Sequence, residues 1–244
     1  MIYKLTIEYF GTEFVGWQKQ NNGLSVQEVV ENAIKSLTKQ DVILYAAGRT
    51  DSGVHALAQV AHFELPDLYD PHKLVASLNY FIRPHKVSIL SCEIAKDDFH
   101  ARFSAKKRYY KYIILNRFSS SVIYENRVWH VVSKLDIENI KEASKYFVGK
   151  HDFSSFRAKE CQANSPVKTL DKIDIIQEGD FIIFNFSAQS FLHHMVRNIM
   201  GTLKEVGDGK IMPHTIKEII DAKDRSKAGV TAPPNGLYFL KVDY

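Results

Sequence analysis

A chain of 244 residues with 45% hydrophobic and 25% charged side chains has the make-up of an ordinary globular protein, long enough for one large domain or two smaller ones. No apolar run approaches the roughly 18 residues of a membrane-spanning helix, and the N-terminal MIYKLTIEYF alternates like a strand without a basic-then-apolar leader, so the expectation is a cytoplasmic protein with no membrane partner. Cys92 and Cys161 form no CxxC pair and are too few for a disulfide framework, and a net charge of +4 is too small to identify a nucleic-acid binder.

Ile2 to Phe10 alternates as a strand. Ser25 with Glu28 three positions on forms a capping box, and Val26, Val29, Val30, Ala33, Ile34 and Leu37 then recur at helical spacing. Two apolar runs, Val42 to Ala47 and Val60 to Phe63, read as strands on either side of a polar loop. A short helix covers Leu74 to Phe81 after Pro71, and Val87 to Ala95 returns as a strand. That βαββαβ order is the ferredoxin-like unit. The second half follows the same theme with additions. Ala105 to Leu115 and Val128 to Val132 read as strands, and Ile137 to Phe147 as a helix. Ile173 to Ile176 and Phe181 to Ala188 form a hairpin turning at Glu178-Gly179-Asp180. Phe191 to Val206 and Thr215 to Ala222 read as helices, and Leu237 to Val242 as the last strand. The fold class is α+β. The join falls near Asp97 to Ser104, giving an N-terminal half of residues 1–100 and a C-terminal half of residues 101–244.

The loop GRTDSGVHA, Gly48 to Ala56, places Asp51 between Arg49 and His55, framed by two glycines. A bend between two strands is where a rigid scaffold presents chemistry, although an Asp beside a Gly is more commonly an ordinary turn residue. From His100 to Arg117 the cations Arg102, Lys106, Lys107, Arg108, Lys111 and Arg117 occur without an acidic residue, and Tyr109, Tyr110 and Tyr112 are interleaved with them. Cations for phosphates beside rings for bases suit a nucleic-acid surface. A strand with a solvated basic face has the same composition, and the tyrosines equally suit a strand filling core.

In the helix expected from Phe191, Leu192, Met195, Val196, Ile199, Leu203 and Val206 fall in one stripe, with His194, Arg197 and Gly201 opposite. A helix-interior Gly costs about 1 kcal/mol relative to Ala. Either a neighbour approaches closely at Gly201, with Arg197 meeting its charge, or this is a solvated polar face. His55, His62, His193 and His194 have no metal-site spacing, and HExxH, CxxC, P-loop and GxGxxG motifs are absent. The expectation is therefore no metal and no cofactor.

GRTDSGVHA, then RYYKY at Arg108 to Tyr112, then FLHHMVRNIMG at Phe191 to Gly201 together resemble the tRNA pseudouridine synthase A family, and the likeness runs from Leu5 to Tyr244. FSSFRAKECQ, Phe153 to Gln162, matches a further family block, in which Arg157 and Lys159 either contact RNA or are plain surface charge. The resemblance implies two ferredoxin-like halves merged into one large antiparallel sheet, with helices on one face and an active-site cleft on the other. It implies a homodimer that binds the anticodon arm of tRNA and isomerises uridine to pseudouridine at positions 38, 39 and 40. Asp51 is then the catalytic carboxylate, and Arg197 pairs with it and keeps it ionised. Arg49 either fills the space left when the base flips out of its stack or holds the displaced phosphate, and Tyr110 stacks on the target base, with its hydroxyl available to handle a proton. The residues leave three first steps open: attack of Asp51 on the ribose C1′, as in retaining glycosidases, addition to C6 of the pyrimidine, or proton removal at C2′. A non-catalytic RNA-binding module and a hydrolase releasing uracil are the rivals, against which the intact GRTD loop and its candidate Arg partner favour the isomerase.

Overall fold

The structure, a computed structural model, describes all residues 1–244. Its elements in chain order are β1 (Ile2–Tyr9), α1 (Val26–Thr38), β2 (Tyr45–Ala46), β3 (His55–Glu64), α2 (Pro71–Ile82), β4 (Val87–Ile94), β5 (Lys107–Asn116), β6 (Trp129–Val131), α3 (Ile137–Lys145), β7 (Gly149–Asp152), β8 (Val167–Glu178), β9 (Phe181–Ala188), α4 (Met195–Gly207), α5 (Thr215–Ala222) and β10 (Leu237–Asp243). The chain is α+β with mostly antiparallel strand pairing. It divides into two compact units, Met1–Lys106 with Tyr238–Tyr244, and Lys107–Leu237. The C-terminal strand thus belongs to the first unit, although it follows the second in the chain.

In the first unit β1 pairs antiparallel with β3 and β4, and β2 pairs antiparallel with β3. Tyr3, Leu5 and Ile7 on alternate positions of β1 are fully buried, as a strand's period of two requires. The Ser25 hydroxyl accepts the Glu28 N–H at 3.2 Å and caps α1, whose Val26, Val29, Val30, Ala33 and Ile34 are buried. Helix α2 starts at Pro71, earlier than the apolar pattern indicates. Asp70 caps it by accepting the His72 and Lys73 N–H groups, and Pro71 suits the first turn. Strand β2 is only two residues long, not the six of Val42 to Ala47. Glu31 and Gln27 of α1 bond the N–H and the carbonyl of Leu44, which ties the start of that run to the helix. Tyr238 and Phe239 of β10 lie parallel to β3 opposite His55 and Ala56.

In the second unit β5 pairs antiparallel with β9, β9 with β8, and β8 with β7, while β6 lies parallel to β5. Strand β8 begins at Val167, before the expected Ile173; its first residues are mainly polar and half-exposed or exposed, so the apolar pattern does not mark them. Strand β7, GKHD, was not anticipated at all, since it has no apolar residue to alternate. Helix α4 begins at Met195 and not at Phe191: His194 takes a left-handed φ of 61° and stops the helix from extending back. Its Met195, Ile199 and Leu203 are wholly buried. No helix is long and apolar enough to cross a membrane.

Candidate active site

The GRTD loop lies on a bed made by the turn after β1. Trp17 N–H donates to the Thr50 carbonyl at 3.0 Å, and Gly16 forms a bridge with Asp51. The Ser52 hydroxyl donates to the Phe14 carbonyl at 3.1 Å, and Gln59 Nε2 donates to the Gly48 carbonyl at 2.8 Å. Two glycines permit the contact. A Cβ on Gly11 would stand 1.9 Å from the Val54 oxygen, and one on Gly16 would stand 2.8 Å from the Thr50 oxygen. Within the loop Val54 N–H closes a turn onto the Asp51 carbonyl at 3.2 Å, with Gly53 at φ 79°. The backbone around Asp51 is therefore held from both sides, while its side chain is half-buried and Arg49 is exposed.

Tyr9, at the end of β1, is buried, and its hydroxyl pairs with the Thr50 hydroxyl at 2.7 Å. Burial raises its pKa well above the phenol range, with a smaller push from the Asp51 charge. Tyr9 is thus a neutral polar group under the loop. His55 is 2% exposed, its ring between Phe10 and Tyr238 with centroids 4.8 Å from each, and its Nδ1 accepts the Gly11 N–H at 2.9 Å. His62 is likewise buried, and its Nδ1 accepts the Ala101 N–H at 3.2 Å. Burial, and then His100, lower its pKa. Both act as packing residues in this unit. The sequence singles out Asp51 but not Tyr9, Gly11, Gly16 and Trp17, which lie about 34 to 42 positions upstream and carry no local mark except the two glycines.

The second unit holds Tyr110 and Arg197. On β5 the buried face is Arg108, Tyr110, Tyr112 and Ile114. Tyr109 is on the other face and half-buried, so Tyr109 and Tyr112 do not share one core as alternating residues would. Tyr110 is 9% exposed and meets Phe191 edge to face, centroids 5.0 Å apart. The RYYKY and FLHHM blocks are thereby packed together. Tyr112 is fully buried, and its hydroxyl donates to the Pro233 carbonyl at 2.8 Å.

The basic strand is less of a cationic surface than its composition indicates. Arg108 is 8% exposed and donates to the Gln189 carbonyl at 2.5 Å, and Lys107 pairs with Asp171 at 2.8 Å. Burial lowers the pKa of half-buried Lys111. Arg102 and Lys106 are the exposed cations at the start of the stretch. Arg157 turns back onto its own loop, donating to the Cys161 and Ala163 carbonyls at 2.6 and 3.3 Å.

At α4 the two sequence alternatives are resolved for Gly201. A Cβ there would stand 1.6 Å from the Val230 carbonyl oxygen, so a close neighbour and not solvent occupies that side. The neighbour is the chain's own 228–232 segment. Arg197 is half-buried, and its Nε donates to the Ala232 carbonyl at 2.8 Å.

A family model described as tRNA pseudouridine synthase matches residues 5–104 and 143–244. The tRNA pseudouridine synthase A of Ehrlichia chaffeensis (strain ATCC CRL-10679 / Arkansas) is 53% identical over 245 residues, covering 100% of both chains. That of Ehrlichia canis (strain Jake) is also 53% identical over 245 residues with the same coverage. Among solved structures, one titled as a crystal structure of a Cbf5-Nop10-Gar1 complex is 12% identical, with a TM-score of 0.41 over 97% of this chain and 48% of that one.

Proposed function

The chain belongs to the tRNA pseudouridine synthase family, whose members are isomerases acting on tRNA, and we propose that it converts uridine to pseudouridine at positions 38, 39 and 40 of the anticodon arm. In that reaction the bond from N1 to the ribose C1′ breaks, the base turns, and C5 bonds to the same C1′. C5 loses its proton and N1 gains one, so the product is an isomer and the balance needs no oxidant or reductant.

Asp51 supplies the carboxylate. The observation that carries this assignment is the doubly held loop: bonds to the 14–17 turn and to Gln59 fix the backbone from which the half-buried carboxylate projects. Pre-set geometry of this kind is what a nucleophile needs. Arg197 is the cation assigned to that carboxylate, lowering its pKa and keeping it ionised. Exposed Arg49, two residues from Asp51, is assigned the space vacated when the base leaves its stack. Tyr110, already in an edge-to-face pair with Phe191, is assigned the face of the target base. The same reading has the protein acting as a cytoplasmic homodimer with tRNA across its subunits, without metal or cofactor.

Unmodified tRNA carrying tritium at uridine C5 tests the reaction. Isomerisation releases tritium to water with no free base. Release of uracil would mark a hydrolase, and binding with neither product would mark an RNA-binding module.

A further inference from the structure

Arg197 is gripped from outside its own helix. Besides the Nε bond to the Ala232 carbonyl, the Ala232 N–H donates back to the Arg197 carbonyl at 3.0 Å. A guanidinium carries its donors in one rigid plane. Holding Nε to a fixed carbonyl therefore fixes the plane and the direction in which the two Nη groups point.

Ala232 in turn is delivered by a polar network. Asn198, wholly buried one residue beyond Arg197, donates from Nδ2 to the Phe156 carbonyl at 2.9 Å. Its Oδ1 accepts the Thr231 hydroxyl at 2.7 Å and Arg225 Nη2 at 3.1 Å. Arg225 Nη2 also reaches the Thr231 hydroxyl at 3.0 Å, while its Nη1 donates to the Ala228 and Gly229 carbonyls at 3.2 and 2.9 Å. The Thr202 hydroxyl accepts the Gly229 N–H at 3.0 Å, and Gly201 leaves the room that lets Val230 lie flat on the helix. Burial lowers the Arg225 pKa, against a smaller opposing effect of Glu205. Apolar packing alone would hold a loop on a helix. Buried polar networks, when satisfied, hold one geometry.

We propose that Asn198, Arg225 and Thr231 are positioning residues that set the plane of the Arg197 guanidinium, and with it the direction of the Nη groups through which it acts on the carboxylate assigned to it. The inference rests on the assignment of Arg197 made above.

The test is Thr231→Val, which keeps the shape and removes both hydroxyl bonds, with Thr231→Ser as the conservative rescue. In the tritium-release assay Thr231→Val should lower kcat about 10- to 100-fold, the scale of a small misplacement. KM for tRNA should stay within about twofold, because binding is not the step affected. The acidic limb of the kcat–pH profile should move upward, since a worse-placed cation lowers the carboxyl pKa less. Thr231→Ser should restore all three. Arg225→Lys, which keeps charge and loses the fork, is a second variant with the same expected pattern. Adding Arg197→Met to Thr231→Val should cost no more than about twofold beyond Arg197→Met alone, because the two act as one unit. Independent, multiplying losses would overturn the proposal. So would a Thr231→Val chain with a lowered melting temperature but unchanged kcat and pH profile. If Arg197→Met keeps full kcat in an otherwise active enzyme, the Arg197 assignment and the clamp fall together. A wild-type chain that releases no tritium defeats the broader functional reading instead.

Discussion

Gly16 and Thr50 meet backbone to backbone: a Cβ on Gly16 would stand 2.8 Å from the Thr50 carbonyl oxygen, and Gly16 holds a φ of 116°. That contact joins the turn after β1 to the residue immediately before Asp51. A side chain at position 16 has to strain its own backbone and push the loop at once. Gly16→Ala should therefore lower unfolding free energy by about 1 to 3 kcal/mol and reduce kcat more than it raises KM. Urea unfolding and steady-state tritium release on the same preparation check both. Full activity would mean that the loop does not depend on this bed.

Asp51→Asn keeps the size of the side chain and removes its charge. Turnover should vanish while tRNA affinity stays within about fivefold of wild type, because only the nucleophile has changed. Filter binding beside the tritium assay separates the two quantities. Residual isomerisation, with deamidation back to Asp excluded by mass spectrometry, would take Asp51 out of the central role.

How far these features could be read from the sequence depends on how local their causes are. Ser25 and Glu28 mark the start of α1 because the cap is made within four residues, and α5 runs from Thr215 to Ala222 as its apolar spacing indicates. Gly201 leaves a close approach and a solvated face equally open; the structure has the Val230 backbone there, about 30 positions on, and no local pattern names it. Arg108 and Arg157 look like surface cations in the chain, yet both are bonded to carbonyls that only the folded structure brings near. The start of α4 was misplaced because the apolar stripe includes Leu192, which is buried outside the helix. Asp51 itself was legible, as a carboxylate in an unusual polar loop. The bed beneath it was not, since residues 9–17 reach it through long-range pairing of β1 with β3.

Asp208 follows the end of α4, where its carboxylate accepts from Lys204 Nζ at 2.5 Å and from the Ser133 hydroxyl at 2.8 Å. Burial by itself would raise its pKa. The bonds from Lys204 and Ser133 and the charges of Lys204 and Lys210 outweigh that, so the folded value lies below the usual 3.8. The unfolded chain then binds the proton more readily, and this group's stabilisation is complete above the unfolded pKa and lost as pH falls through the folded one. Asp208→Asn should cost about 1 to 2 kcal/mol at pH 7, as expected for losing hydrogen bonds to a charged group. The gap from wild type should shrink steadily below about pH 4. Urea unfolding of both chains across that range measures it, and a pH-independent gap would assign the loss to packing.

The exposed cations of the basic stretch make the last prediction. Arg102 and Lys106 are exposed, whereas Lys107 pairs with Asp171 and Arg108 is buried against Gln189. The Lys106 N–H is bonded to the Asp243 carbonyl at 2.8 Å, so its side chain projects from a held backbone. A cation that meets a phosphate releases a counterion, and each such contact steepens the fall of affinity with salt by about 0.7 to 0.9 in log–log slope. If Arg102 and Lys106 both meet tRNA phosphates, changing both to Ala should weaken binding at low salt and flatten the slope by about 1.4 to 1.8. Lys107→Ala should change the slope far less, because its ammonium already has a carboxylate partner, and should leave Asp171 as an added negative charge instead. Arg108→Ala should act through stability, removing a buried bond, and shift unfolding more than the slope. Binding of unmodified tRNA measured from 50 to 300 mM salt, roughly the range in which such slopes are read, distinguishes these outcomes. A double variant with an unchanged slope would mean that tRNA approaches another face of this unit.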